Sequence, residues 1–150
     1  MAPAPRVAST IARDCLAVRL RLVNRAVTAI YEQALRPWDL SAAQLNLLVA
    51  VASLDQASPT ELGRLLIVDK STLSRNLERM RARGWLAEHG AADARARPVR
   101  ATAAGLRLLE EVLPAWQQAQ RRVARIIGPD GVRSVHALAR AFGPGLATPE

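Results

Sequence analysis

Apolar residues recur at helical spacing through most of this chain, and prolines rather than glycine-rich linkers divide the pattern into segments. From about Ser9 to Arg36 two apolar stripes run side by side: Leu16, Leu20, Val23, Val27, Ile30 and Ala34 on one, Ile11, Cys15, Val18, Leu22 and Ala29 on the other. Pro37 halts the run. A helix apolar over that much of its girth is buried on more than one side, and a partner subunit is the natural second wall. Pro3 and Pro5 predict an unstructured start, and the closing GPGLATPE an unstructured end.

Ser41-Ala-Ala-Gln44 has the form of a capping box and opens a second helix to about Leu54, with Leu45, Leu48, Val49 and Ala52 inward. Ser58-Pro59-Thr60-Glu61 repeats the signal, with Pro59 at the first helical position, where no donor is missed. Leu62, Leu65 and Leu66 give that short helix its core side, and Ile67-Val68 form a tight connection to Asp69, the cap of a fourth helix. At 100° per residue, Leu73, Leu77 and Met80 share one face of helix 70–83. The opposite face collects Ser71, Arg75, Glu78 and Arg79, with Thr72 and Ser74 at its margins. Gly84 supplies the left-handed residue that ends the helix.

Residues 85–89 and 97–101 read as two short antiparallel strands with their tip at 90–96, and Pro98 confines its strand to an edge. Thr102 caps a further helix carrying Leu106, Leu109, Leu113, Trp116, Val123 and Ile127, which Pro114 should kink rather than end. Gly128-Pro129-Asp130 breaks the chain before a last helix at about 131–142. No internal repeat and no separate second domain is visible.

Charge sharpens this picture. Lys and Arg number 21 against 13 Asp and Glu, a formal charge of +8, and Lys70 is the lone lysine. Such an excess attracts polyanions, and arginine adds two-pronged recognition of phosphate and guanine edges. One cysteine, Cys15, excludes an internal disulfide framework and a cysteine-rich metal site. Arg13, Asp14, Arg19, Arg21 and Arg25 interrupt the apolar stretch 11–30, so no membrane span is expected there, and a cytoplasmic protein is. Catalysis is not expected: there are two histidines, no glycine-rich phosphate loop, and Glu110-Glu111 are adjacent and splayed apart.

Two short helices joined by a tight turn, the second with a polar cationic face, form a helix-turn-helix. Small hydrogen-bonding residues should lead a helix that approaches base edges, and Ser71, Thr72 and Ser74 do so. Arg75 and Arg79 follow at i, i+4 spacing as long arms, with Lys70 beside them and Thr60 on the preceding helix. The hairpin tip adds Asp93-Ala94-Arg95-Ala96-Arg97, where Asp93 shapes the tip and Arg95 and Arg97 are the candidates for groove or backbone. Double-stranded DNA is the expected partner; a sequence-independent architectural binder is the alternative.

These residues resemble the MarR family of winged helix-turn-helix transcription regulators. The matching runs are S-P-T-E-L at 58–62, D-K-S-T-L-S-R at 69–75, R-A-R-G-W-L at 81–86, the wing Asp93-x-Arg95, and Thr102 to Gly105, with Thr102 nine residues beyond Asp93. The resemblance covers about residues 10–142. It implies a mainly α fold: a winged helix-turn-helix lobe at 38–102 with a two- to three-stranded β-wing, and long dimerisation helices at 9–36 and 103–142. It also implies a homodimer on a near-palindromic operator, usually a repressor released by a small phenolic or other aromatic effector, with no cofactor. Trp38, Trp85 and Trp116 could flank an effector pocket, although core filling is the plainer role for each. Cys15 could act as in the family's peroxide-sensing branch, but its apolar stripe and its distance from Tyr31 favour packing.

Overall fold

The computed structural model describes residues 4–90 and 98–142. Six α-helices and two strands follow in order: α1 (Ala4–Asp14), α2 (Leu16–Leu35), α3 (Ala42–Ser53), α4 (Pro59–Leu66), α5 (Lys70–Ala82), β1 (Leu86–Glu88), β2 (Val99–Ala101) and α6 (Ala103–Phe142). A 3-10 turn, Arg36–Trp38, joins α2 to α3. The mainly helical winged helix-turn-helix fold read from the sequence is the one observed.

The caps form as the sequence spells them. The Ser41 hydroxyl accepts from the Gln44 amide (3.1 Å) while the Gln44 side chain accepts from the Ser41 amide (3.0 Å). Ser58 and Glu61 repeat the box, with Pro59 at its expected place. These starts aim α3 and α4 into one core, where Leu35, Leu47, Leu48, Val51, Leu62, Met80, Val99 and Val112 are fully buried. At roughly 1.5–3 kcal/mol for each such side chain, this cluster is the main source of stability for the lobe.

The expected single stripe on α3 is a poorer description. Leu47, Ala50 and Val51 are buried as well as Leu45 and Leu48, whereas Val49 is 46 % exposed. α2, α4, α6 and β2 all pack against α3, so most of its girth is interior and one stripe cannot describe it.

The wing base is short. Leu86 pairs with Ala101, Ala87 with Arg100 and Glu88 with Val99, antiparallel. Ala57 adds a single bridge to Val99, with N···O distances of 3.0 and 2.9 Å, so the third strand is one residue long. Of the tip expected at 90–96, all but Gly90 lies outside the described residues, as does Arg97, so Asp93, Arg95 and Arg97 are not described.

The helical arms depart from expectation in three places. Helix begins at Ala4, so Pro5 sits in a first turn, where proline costs nothing, rather than in an unstructured start. The pattern expected to be unbroken from Ser9 to Arg36 bends at Cys15, which has extended backbone (φ −69°, ψ 108°). The Arg19 guanidinium donates to the Arg13 carbonyl beside this bend. Further on, α6 runs through Pro114 and changes direction at Gly128 (φ 70°, ψ 171°), then resumes at Pro129 rather than at residue 131. Pro129 opens a helix as readily as Pro59 does.

Much of the apolar surface of these arms is uncovered in one chain: Ile11, Leu16, Leu22, Ile126 and Phe142 are each more than 60 % exposed. Among the described residues no helix is long and apolar enough to cross a membrane.

Candidate nucleic-acid interface

α5 owes its orientation to its apolar face. Leu73, Leu77 and Met80 are buried in the core, which leaves Lys70, Ser71, Ser74, Arg75, Glu78 and Arg79 exposed on the outer side and Thr72 half-buried at the edge. Thr60, in the first turn of α4, is exposed as well. The helix therefore presents a row of hydroxyls followed by two arginines, anchored from behind by a rigid core.

The first turn is held by Asp69. Its carboxylate accepts from the Ser71 hydroxyl (2.7 Å) and the Thr72 amide (2.9 Å). These two bonds, the Ser71 hydroxyl foremost, hold the Asp69 carboxyl well below the usual carboxylate range. The sign follows: the cap is intact above the ordinary carboxylate pKa and is lost only as pH falls well below it. Ser71 thus shapes the helix start, while its oxygen still has a lone pair for an approaching donor. Arg75 lies back along the helix, its Nε donating to the Ser71 carbonyl (3.3 Å). That bond is long and exposed, so the guanidinium can swing outward at little cost.

Two arginines with structural roles escaped the sequence reading. Arg81 pairs with Glu88 and ties α5 to β1. Arg83 donates to the Trp38 and Asp39 carbonyls (3.3 and 3.0 Å), pairs with the Asp39 carboxylate and lies 4.8 Å from the centre of the Trp85 ring. The second of these clamps the end of α5 to the elbow after α2. Both belong to the R-A-R-G-W run, but their partners are 45 and 7 residues away, which spacing along a helix cannot reveal.

The turn between α4 and α5 contains a strained residue. Ile67 is left-handed (φ 52°, ψ 49°) and 77 % exposed, in a position that favours glycine. Ile67→Gly is expected to stabilise the protein by about 0.5–1 kcal/mol, the relief of the branched side chain outweighing the added freedom of the unfolded chain. Thermal unfolding of the variant checks this, and a lowered midpoint would contradict it.

The remaining candidates disperse. Trp116 borders two adjoining niches of about 340 and 290 Å³ that share Leu45 and Asn46; Trp38 and Trp85 line neither and pack against the core instead. Cys15 is half-buried at the α1–α2 bend, while the Tyr31 hydroxyl donates to Gln120 on α6 and burial pushes its pKa up. The structure therefore does not bring this tyrosine to the thiol.

Comparison with known proteins places this geometry. Residues 38–96 match the model of the MarR family. The multiple antibiotic resistance protein MarR of Escherichia coli is 31 % identical over 67 residues, 45 % of this chain and 46 % of that protein, so the chain aligns with under half the length of this curated relative. In structure the likeness is longer. The apo form of wild-type E. coli MarR superposes with a TM-score of 0.70 at 25 % identity, covering 86 % of this chain and 97 % of that one. BpsR of Bordetella bronchiseptica, a protein whose DNA binding is regulated by 6-hydroxynicotinic acid, reaches 0.76 at 27 % identity over 86 % and 93 %. An E. coli MarR mutant complexed with operator DNA shares the fold at 0.79 and 24 % identity, over 89 % and 97 %. With the family model matching the helix-turn-helix and these superpositions spanning the arms, the chain is similar in sequence and in fold to the winged helix-turn-helix proteins of the MarR family.

Proposed function

We propose that this protein is a sequence-specific transcriptional regulator that works as a homodimer on a near-palindromic DNA operator, acting as a repressor released by a small aromatic ligand. The observation that carries this reading is the division of α5: Leu73, Leu77 and Met80 fix it from within, and Ser71, Ser74, Arg75 and Arg79 stand outermost. An α-helix fits the major groove, and a short hydroxyl followed by an arginine is suited to base edges. In the sequence Arg95 and Arg97 follow α5 at the expected wing tip, and the exposed Lys70 and Thr60 are the candidates for phosphate. The uncovered apolar surface of α1, α2 and α6 supports pairing of two copies, since patches of this kind mark protein contacts. A near-palindrome then mirrors the two-fold axis. The operator complex known for the E. coli relative supports DNA as the partner.

Selection of bound duplexes from a random library tests the proposal. Recovery of one inverted-repeat sequence is expected. Equal binding to all duplexes, with a steep salt dependence, would instead make this an architectural binder.

For the ligand, the niches at Trp116 are suited to an aromatic ring: Leu45, Val49, Leu113 and Trp116 line them, with Asn46 and Tyr31 as polar handles. Titration with 6-hydroxynicotinic acid is expected to quench tryptophan fluorescence in the wild type and not in Trp116→Phe. Quenching that survives the substitution would move the ring elsewhere.

A further inference from the structure

Between the C-terminal half of α2, the elbow after it and the C-terminal half of α5 lies an open cleft of about 1040 Å³. Its walls bear three arginines, Arg36, Arg79 and Arg83, and two carboxylates, Glu32 and Asp39. The carboxylates are engaged. Glu32 accepts from the Ala42 amide (2.9 Å) at the start of α3, and Asp39 pairs with Arg83. Ser41 and Gln44 serve each other in the capping box, and the Gln33 side-chain oxygen Oε1 accepts from the Arg122 guanidinium.

What remains is cationic. Among the described residues the side chains of Arg36, Arg79 and half-buried Asn76 have no hydrogen-bond or ion-pair partner. Two free guanidinium forks and a free amide on one cleft are matched to an oxyanion. Among the described residues no aromatic side chain lines this cleft, in contrast to the niches at Trp116, so none of them would hold a ring here by stacking.

We propose that this cleft binds a compact, non-aromatic dianion, a dicarboxylate or a phosphate monoester, held between Arg36 of the 3-10 turn after α2 and Arg79 of α5. Binding itself does not depend on the DNA-reading role of α5, but its consequence rests on that reading. Arg79 borders both the cleft and the outer face of the helix. An anion that holds Arg79 in the cleft takes one cation per subunit away from the duplex and neutralises its charge. Operator affinity falls, and by linkage operator DNA weakens anion binding by the same factor. The cleft would be a metabolite input separate from an aromatic effector.

The test is calorimetric titration of the full-length protein with inorganic phosphate and with succinate, at ionic strength held constant with chloride because added salt alone weakens DNA binding. Saturable binding of at least one probe is expected, with affinity reduced roughly tenfold to a hundredfold in Arg36→Gln. The better probe indicates which of the two sources supplies the dianion. The bound probe should also weaken operator binding by the wild type more than an equal ionic strength of chloride does, and Arg36→Gln should remove that excess while leaving anion-free operator affinity unchanged. Absence of saturable heat with both probes, or wild-type affinity in Arg36→Gln, would overturn the site. A chain that selected no operator but bound phosphate through Arg36 would overturn the regulator and leave the site standing.

Discussion

Gly105→Ala is expected to destabilise the protein by about 3 kcal/mol and to lower its unfolding midpoint by roughly 6–12 °C. A β-carbon at this position would stand 2.3 Å from the Trp85 carbonyl oxygen, 3.1 Å from its carbon and 3.2 Å from the Leu48 side chain. The leucine could yield by a rotamer change, but the carbonyl cannot. It accepts from the Thr102 amide at 3.0 Å and from the Thr102 hydroxyl at 3.2 Å, and so it joins the start of the wing to the start of α6. Withdrawing it would uncouple the junction where α5, β1 and α6 meet. The gain in helix propensity from glycine to alanine, about 1 kcal/mol, is too small to offset this.

Gly63→Ala supplies the control. Its β-carbon would meet only the Leu73 side chain and the Val68 carbonyl, both at 3.6 Å, an ordinary contact distance. That variant should unfold within a few degrees of the wild type. A Gly105→Ala midpoint equally close to the wild type would show that the junction is not as tight as described.

The contrast between these glycines marks what the sequence could and could not reveal. Local chemistry was legible: the Ser41 and Ser58 boxes, Asp69 at the head of α5, Gly84 at its end (φ 72°) and Thr102 before α6 all appear where short-range hydrogen bonding requires them. The buried face of α5 was legible for the same reason, because one stripe meets one core. Features decided by distant neighbours were not. The bend at Cys15 involves no glycine or proline, and its nearby Arg19–Arg13 tie is a side-chain bond that periodicity does not register. Val49 is exposed because it borders the niche opposite Trp116, and Arg83 is committed to Asp39 across the lobe. At the candidate interface the sequence separated the arginines that face outward on α5 from its core, but it could not distinguish a free arginine from a clamped one. Arg75 and Arg79 have no carboxylate partner among the described residues, whereas Arg81 and Arg83 do.

That distinction bears on how DNA would be read. Arg75→Ala is expected to lower operator affinity by about 1–3 kcal/mol per half-site, hence roughly 2–6 kcal/mol for a dimer engaging two. The same change should relax one base position in each half-site. Arg75 is the arginine nearest the capped start of α5, the end of a recognition helix that approaches base edges most closely. Among the described residues its side-chain bond is the one to the Ser71 carbonyl, exposed and long at 3.3 Å, so redirecting it toward guanine O6 and N7 forfeits little. Among the described residues its removal breaks no ion pair and empties no core, so the midpoint of thermal unfolding should stay within a degree or two. Loss of affinity without loss of stability therefore separates a reading residue from a structural one. Binding is best measured on the selected operator and on random duplex at one salt concentration, since neutralising a phosphate would weaken both alike. A change that fell equally on the two duplexes would assign Arg75 to the backbone and leave base discrimination to Ser74 and the wing.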